Sequence, residues 1–285
     1  MSRWGQDDER GALNLVGTAA TLRGIATVRD GAVVPLNLII TGNEIGPAVP
    51  FRGAPRHFMI RDGGDYAAGV PERGGFGFSD DVLMLATHGT THIDALAHVW
   101  RDGRMYNGFP SSTVTSKGAQ HCGIDKAGPF VTRALFADFG SDPAVAGGAP
   151  IHRAQLIAAV ERGGIGPEPG DALVIRTGWM AAWRRGEATT KQSSGLHHDC
   201  AEWIIESGFA LVAADNPAVE ALPSGDNSCS APLHIALTRD NGVYLAELLD
   251  LEALCVCRRV AFLLCITPLK IKGGVGSPIA PVAIL

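Results

Sequence analysis

Long hydrophobic runs are missing from this chain of 285 residues. Its best apolar run, Val260–Ile266, is far too short to span a bilayer. The opening residues, MSRWGQDDERG, also lack the apolar segment of a secretion signal. We therefore expect a cytoplasmic protein with no membrane partner.

An excess of positive charge is missing as well. The chain carries 24 Lys and Arg against 29 Asp and Glu, a formal net charge of −5. This balance gives no electrostatic footprint for nucleic acid or an anionic surface. Because no Gly-x-Gly-x-x-Gly follows a predicted strand, a dinucleotide cofactor is not expected either. A small-molecule substrate fits this composition better.

Paired cysteine motifs are the third absence. The six cysteines form neither a Cys-x-x-Cys pair nor a zinc-ribbon spacing. Cys255 and Cys257 would place both thiols on one face of an apolar strand, which is typical of free core thiols. We expect no disulfides.

What the chain does contain is a concentration of metal-ligand side chains in residues 86–100, ATHGTTHIDALAHVW: His88, His92, Asp94 and His98. In an extended strand alternate residues share a face, so His88, His92 and Asp94 would project to one side. In a helix Asp94 would point about 200° away from His92. A single histidine is usually a hydrogen-bonded core or surface residue, but this group predicts a zinc or manganese site with one position open for water.

At these residues the chain resembles the cyclase family of metal-dependent amide and lactone hydrolases, which includes bacterial kynurenine formamidase and isatin hydrolase. The family signature, H-x-G-T-H-x-D-x-P-x-H, matches at the four ligand-type residues and at Thr91. Thr90 and Leu96 stand where the family has Gly and Pro. The resemblance extends from Arg3 to about Leu254.

The resemblance implies roles for these residues and a fold. His88, His92 and Asp94 would bind the metal, and His98 would be the catalytic acid/base. An unperturbed imidazole pKa near 6.5 suits such proton transfer. The fold implied is a swivelling β/β/α arrangement, an α/β single domain over residues 31–285 after an N-terminal arm and short helix at residues 1–30. A homodimer or homotetramer is implied as well.

A second cluster is predicted near the carboxyl terminus. His234 and Val243–Leu251 flank Asp240-Asn241-Gly242, a turn sequence that predicts a hairpin and brings His234 near Glu247. Without the family resemblance, Glu247 would be interpreted as a solvated helix residue. In the family, however, a His and a Glu about a dozen residues later complete a second metal position or a proton relay. A second metal ion, bridged by Asp94, is therefore permitted.

Hydrophobic periodicity predicts alternating strands and helices. The predicted strands are Val33–Ile40, Arg133–Phe139, Asp171–Thr177 and Phe209–Ala214, and the predicted helices are Thr18–Val28, His152–Arg162 and Cys200–Ser207. The segment from residue 41 to 79 is dense in Gly and Pro and is predicted to be a loop that lines the pocket. His57, His197 and His198 are interpreted as surface or cap residues.

The leading hypothesis is hydrolysis of a small cyclic amide, a lactone or an N-formyl amide by a metal-activated water. One alternative is a non-haem iron oxygenase that uses His92, Asp94 and His234 as a facial triad. Another is a metal-binding protein without turnover, which predicts a closed site with four protein ligands and no pocket.

Overall fold

The computed structural model describes residues 2–42, 44, 46, 47 and 49–285. A nine-stranded sheet organises this part of the chain, and two two-stranded ribbons accompany it. The strands are β1 (Val33–Pro35), β2 (Arg56–Arg61), β3 (Asp80–Met84), β4 (His92–Asp94), β5 (Val114–Thr115), β6 (Gly118–Ala119), β7 (Phe130–Asp138), β8 (Ala172–Arg176), β9 (Leu211–Ala214), β10 (Tyr244–Glu247), β11 (Ala261–Ile266), β12 (Gly276–Pro278) and β13 (Val282–Ile284).

The helices are short and lie between the strands. They are α1 (Thr18–Ile25), α2 (Gly63–Ala67), α3 (Pro143–Ala146), α4 (Arg153–Glu161), α5 (Trp179–Arg184), α6 (Ala201–Glu206), α7 (Pro232–His234) and α8 (Glu252–Val256). Six 3₁₀ turns and a π-helix complete the described elements: Gly11–Leu15, Pro50–Arg52, Tyr106–Gly108, Ser111–Thr113, Ile124–Lys126, His198–Cys200 and the π-helix Ile235–Asp240. Among the described residues, no helix has the length and apolarity needed to cross a bilayer.

The strand order of the large sheet is β1-β13-β11-β7-β8-β9-β10-β4-β12. Its centre, β7 to β10, is parallel, whereas β4 runs antiparallel to β10 and β12 antiparallel to β4. The sequences of β8 and β9, ALVIR and LVAA, are almost entirely apolar and buried, as expected for strands covered on both faces. Because β4 returns beside the carboxyl end of β10, polar residues from both strands meet at that edge.

The α/β fold implied by the family resemblance is confirmed, with different bounds for several elements. Helix α1 and strands β7, β8 and β9 lie within or beside their predicted ranges. The predicted buried strand Val33–Ile40 is too long, since β1 contains only Val33–Pro35 at the sheet edge. The predicted division at residue 30 stays a prediction.

The segment from residue 41 to 79 is not wholly a loop. Strand β2 pairs with β3 in an antiparallel ribbon, and α2 begins at an Asp62 capping box. Most of the ribbon's side chains are exposed, including Phe58, Ile60 and Met84. The Gly and Pro content of this segment therefore places turns around a ribbon rather than excluding regular structure.

All six cysteines are free, as expected. Their predicted setting was wrong at one place, because Cys255 lies in α8 and Cys257 follows it rather than both lying in an apolar strand. Their thiols instead donate to backbone carbonyl oxygens, Cys255 to Glu252 and Cys257 to Ala253.

The N-terminal arm is held against its own chain by Asn107. The Asn107 side-chain amide donates to the carbonyl oxygens of Gly5, Gln6 and Asp8, and its Oδ1 accepts from the Ser2 backbone N–H. Asn107 adopts a positive φ of 55°, which this residue type tolerates better than most. The arm is therefore anchored by specific hydrogen bonds.

Candidate metal centre

The backbone brings His88 to the predicted cluster by a turn and not by a strand. Strand β4 contains only His92–Asp94, and the Gly89 N–H donates to the Ala86 carbonyl oxygen at 2.8 Å to close a tight turn around His88. The expectation of one continuous strand from His88 to Asp94 was therefore wrong. The three side chains nevertheless converge, because the turn folds His88 back over β4.

The distances between donor atoms are short. His88 Nε2 lies 3.3 Å from Asp94 Oδ1, and His92 Nε2 lies 3.6 Å from the same oxygen. All three side chains are buried, and His92 is completely inaccessible to solvent. Ligand atoms on a tetrahedral ion with bonds of about 2.0–2.1 Å lie roughly 3.3–3.5 Å apart, so this spacing suits a bound cation.

His98 lies against the same group. Its ring stacks on the His88 ring with centroids 4.2 Å apart and planes at 25°. One nitrogen of His98 also lies within 4.8 Å of a ligand atom of His88 and of Asp94. Burial lowers the pKa of His98 to about 4 against the opposing effect of Asp94, so its imidazole is neutral at pH 7. The unperturbed value of the sequence hypothesis does not apply in this environment.

Glu247 lies beside His92 because their strands are paired. The register of β10 and β4 sets Glu247 opposite His92, and Glu247 Oε2 lies 3.2 Å from His92 Nε2. His234 approaches from α7, with Nε2 3.2 Å from Glu247 Oε1 and 3.8 Å from Asp94 Oδ2. The predicted proximity of His234 and Glu247 is therefore present. The predicted hairpin was wrong, since a helix and a strand parallel to β9 replace it.

Several supporting residues were not found from the sequence. The Glu220 carboxylate hydrogen-bonds the Nδ1 side of His234 and accepts from the backbone N–H of Leu233 and His234. Arg52 Nη1 donates to the His88 carbonyl oxygen at 2.8 Å. Glu220 stands in an ordinary apolar context and Arg52 in a Gly- and Pro-rich segment, so no spacing signal marks either residue.

Hydrogen bonds also fix which nitrogen of each ring faces the cluster. His92 Nδ1 lies 2.7 Å from the Thr90 carbonyl oxygen, a pure acceptor, so Nδ1 carries a proton and Nε2 is the nitrogen that faces Asp94 and Glu247. His88 Nδ1 lies 3.1 Å from the Thr87 hydroxyl, which likewise leaves Nε2 toward Asp94. Such outer partners orient metal-ligating histidines. Thr90 contributes through its backbone carbonyl and not through its hydroxyl.

The side chains present fit a divalent cation. Seven buried side-chain atoms have no hydrogen-bond partner among the described residues, and four of them lie in this cluster: His88 Nε2, His92 Nε2, Asp94 Oδ1 and Glu247 Oε1. Leaving buried polar atoms unpaired costs about 1–3 kcal/mol each, and more for charged groups. Burial raises the pKa of Asp94, but the neighbouring imidazoles outweigh this effect and hold it below its usual range. Burial lowers the pKa of His92 and of His234, but the neighbouring carboxylates outweigh this effect and raise both. Carboxylates and imidazoles therefore converge at this point, a donor set for zinc or manganese.

His98 is the most exposed of the four residues of the first cluster. It is half-buried, whereas His88, His92 and Asp94 are buried, and Trp100, two residues on, is 50% exposed.

Gly276 gives a direct test of the position of His88. It pairs with Asp94 across β12 and β4, and a Cβ at this residue would overlap the His88 ring. We expect Gly276→Ala to displace His88 and weaken metal affinity by about 10–100-fold, the usual cost of losing a supporting contact. Metal titration of the purified variant measures this. Gly274→Ala is the matched control, since its Cβ would meet only the Ile271 and Ile124 side chains. Equal metal affinity in Gly276→Ala and the unaltered chain would refute the proposed position of His88.

Comparisons with known proteins identify the family of this chain. The Cyclase family model matches residues 36–221, more than half of the chain, so the chain belongs to this family. The matched range includes all four residues of the first cluster and Glu220, but neither His234 nor Glu247. Isatin hydrolase from Roseibium aggregatum is 28% identical over 217 residues, 73% of this chain and 75% of that protein. A solved structure described as a novel cyclase has a TM-score of 0.88 and 33% identity, and covers 99% of this chain and 96% of its own. An isatin hydrolase bound to the product analogue thioisatinate has a TM-score of 0.67 at 19% identity, with 94% and 99% covered, and is similar in fold.

Proposed function

We propose that this chain, which belongs to the cyclase family, is a metal-dependent hydrolase of a small cyclic amide, a lactone or an N-formyl amide. The single observation that carries the proposal is the set of buried, unpartnered donor atoms on His88, His92, Asp94 and Glu247. One relative is named isatin hydrolase, and isatin is a cyclic amide. This name supports the proposed substrate class.

His88, His92 and Asp94 would hold the cation through His88 Nε2, His92 Nε2 and Asp94 Oδ1. When bound, a divalent cation supplies a water of lowered pKa, about 7 instead of 15.7, and polarises a carbonyl oxygen. The Thr90 carbonyl and the Thr87 hydroxyl keep the two ring nitrogens aimed at this position. Burial of the ligands excludes bulk water from it.

His98 would move the proton. Its imidazole is neutral at pH 7 because burial lowers its pKa, so it accepts a proton from the attacking water first. Asp94 then stabilises the imidazolium electrostatically, since its carboxylate favours the charged form of His98. The same nitrogen returns the proton to the leaving nitrogen or oxygen as the amide or ester bond breaks.

A second cation position is part of the proposal. Asp94, His234 and Glu247 each offer one ligand atom within 4.8 Å of the others, and all three are buried. Asp94 would then bridge two ions through its two oxygens, as in two-metal hydrolases. Glu220, which holds the other nitrogen of His234, would fix the ring for this task.

Glu247→Gln distinguishes a ligand from a relay. Glutamine keeps the shape and one acceptor oxygen but removes the charge. With two ions bound we expect the metal stoichiometry to fall from two to one. With one ion bound we expect unchanged stoichiometry and slower turnover. Elemental analysis and kcat on the same preparation measure both, and no change in either quantity would exclude Glu247 from the centre.

The oxygenase alternative has less support. His92, Asp94 and His234 do meet, but that triad leaves His88 and His98 without a role. Arg239, the basic residue expected to bind oxoglutarate, instead donates to the Arg104 carbonyl oxygen and pairs with Asp240. The sequence relative and the ligand-bound structure described above are each named as a hydrolase.

The proposed function is tested by metal analysis of the purified protein combined with a hydrolysis screen. The screen uses N-formylkynurenine, isatin-like lactams and small lactones. We expect the purified protein to contain zinc or manganese. We also expect ring opening or deformylation that stops when the metal is chelated and returns when metal is added. Iron-dependent oxygen consumption would favour the oxygenase, and bound metal with no turnover of any class would favour a structural site.

The predicted homodimer or homotetramer stays a prediction, and the ribbon of β2 and β3 is the surface that supports it. The ribbon and its connecting segment expose seven large apolar side chains: Phe58, Met59, Ile60, Phe76, Phe78, Leu83 and Met84. An isolated two-stranded ribbon is marginally stable in water, so a second copy of the chain packed on it would stabilise both. Light scattering on the purified protein measures the molar mass.

A further inference from the structure

A second group of imidazoles and a carboxylate lies on the surface, outside the candidate metal centre. It consists of His152, the residue before α4, and of His197 and Asp199 in the turn before α6. His152 Nδ1 lies 2.9 Å from Asp199 Oδ2, and His197 Nδ1 lies 3.2 Å from Asp199 Oδ1. One ligand atom of each residue lies within 4.8 Å of the other two. These separations are close to the roughly 3.3–3.5 Å between ligand atoms on a tetrahedral ion.

The backbone holds the two contributing segments together without a metal. The His197 N–H donates to the Ile151 carbonyl oxygen at 2.8 Å, and the Ile151 N–H donates to the Gly195 carbonyl oxygen at 2.8 Å. His197 forms one of these hydrogen bonds itself, and His152 directly follows Ile151, which takes part in both. The imidazoles therefore stay adjacent because the main chain fixes their Cα positions, which is the preorganisation that a metal site needs.

The hydrogen bonds of His197 make opposite demands on one nitrogen. Nδ1 accepts from the Asp199 backbone N–H at 3.3 Å, which needs a lone pair. The same Nδ1 faces the Asp199 carboxylate at 3.2 Å, which needs a proton. A neutral ring that satisfies the amide thus sets a lone pair against a carboxylate oxygen. A cation that took this lone pair in place of the 3.3 Å amide contact would be attracted to both Nδ1 and the carboxylate.

The surrounding charges leave Asp199 available. Burial raises the pKa of Asp199, but hydrogen bonds from His152, the Arg153 N–H and His197 outweigh it and lower the value to about 2. The Arg153 guanidinium does not neutralise this carboxylate, since it pairs with Glu202. The rings of His152 and His197 lie 4.4 Å apart and those of His197 and His198 lie 4.1 Å apart.

We propose that His152, His197 and Asp199 form a peripheral site for a divalent transition-metal cation such as zinc. Two imidazoles and one carboxylate select a borderline ion over magnesium or calcium. Side-chain exposure of 50%, 23% and 40% leaves room for water at the remaining positions. This inference is independent of the hydrolase proposal, because none of the three residues lies in the candidate metal centre.

A cation at this peripheral site would also help to hold Glu220, the residue that contacts His234, in position. Leu196, adjacent to His197, pairs with Glu220 through a backbone bridge, and the Ala221 N–H donates to the Leu196 carbonyl oxygen at 3.0 Å. Glu220 in turn holds His234. An ion that ties His197 to His152 would hold the Leu196 segment in place. It would stabilise the fold by binding the folded state alone.

The experiment is equilibrium dialysis of the full-length protein against zinc alone, with bound zinc counted by elemental analysis. We expect His152→Gln and His197→Gln each to bind one equivalent fewer than the unaltered chain, or to bind it at least about tenfold more weakly. Counting the difference between chains makes the result independent of how many ions the candidate centre holds. Asp199→Asn, which keeps an acceptor oxygen for the Arg153 N–H, is expected to show the same loss.

His57→Gln is the matched control. His57 Nε2 lies 2.7 Å from Asp81 Oδ2, so it is also an exposed His–Asp pair, but one without a second imidazole. We expect it to bind zinc like the unaltered chain. Melting temperatures without zinc verify that the variants are folded. Added zinc should raise the value less for His197→Gln, which keeps only the candidate metal centre, than for the unaltered chain. Zinc stoichiometry and affinity that are the same in His152→Gln, His197→Gln and the unaltered chain would overturn the proposal.

Discussion

His92→Ala is expected to remove bound metal and hydrolysis together. His92 Nε2 lies close to both carboxylates of the candidate metal centre, 3.6 Å from Asp94 Oδ1 and 3.2 Å from Glu247 Oε2. Loss of an outer partner costs a metal site about 10–100-fold in affinity, so loss of this nitrogen should cost more than about 100-fold. Asp94 and Glu247 would then be two buried carboxylates with one fewer compensating group. Metal content and kcat on the same preparation measure the effect.

A control is needed because His92 is completely buried, and its removal leaves a cavity. His92→Gln keeps most of the volume and an acceptor atom but lacks the imidazole lone pair at Nε2. We expect it to fold with nearly the melting temperature of the unaltered chain and still to lose the metal. Full metal content in both variants would exclude His92 as a ligand.

The sequence predicts which residues meet at the centre better than how they meet. His88, His92 and Asp94 were identified because ligand-type residues at short spacing are rare without a shared task. Their backbone was assigned wrongly, since alternation along a strand and a turn that folds back give the same convergence. The turn is decided by the Gly89 N–H bond to Ala86, a local choice that side-chain spacing does not encode.

Residues that act from a distance in sequence were the least predictable. Glu247 was placed in the centre only through the family resemblance, because its neighbours are typical of a helix. The structure makes it a strand residue paired with His92, a long-range contact that overrides local propensity. Glu220 reaches His234 across 14 residues, and Arg52 reaches His88 across 36. Such contacts depend on tertiary topology, which periodicity does not report.

The ribbon of β2 and β3 shows that burial, too, cannot be predicted from local sequence alone. Gly and Pro in the segment from residue 41 to 79 predict turns correctly, but the strands between those turns are short and lie outside the sheet. Phe58 and Ile60 read as core residues by hydrophobicity, yet they are 51% and 58% exposed. Hydrophobicity alone does not distinguish a side chain buried within the chain from one available to a second chain.

His98→Ala is expected to keep its metal and its fold and to lower turnover by about 10²–10⁴-fold, the usual contribution of a positioned general acid or base. The reason is the position of the ring, which stacks on His88 and has a nitrogen within 4.8 Å of a ligand atom of Asp94. Burial keeps the imidazole neutral at pH 7, so its removal deletes a ready proton acceptor without deleting a charge. Substrate affinity should change much less than kcat.

Metal content, melting temperature and kcat on His98→Ala separate three roles. One nitrogen of His98 lies within ligand distance of His88 and Asp94, so a fourth-ligand role would show as weaker metal binding and partial recovery of rate with excess metal. A packing role would show as a lower melting temperature with normal turnover per folded molecule. Proton transfer alone predicts intact metal, intact fold, slow turnover and partial rescue by added imidazole, because a small base can enter the space that the side chain leaves. Loss of metal from this variant at saturating concentrations would overturn the acid/base role, since a residue that holds the ion cannot also carry the proton to and from the leaving group.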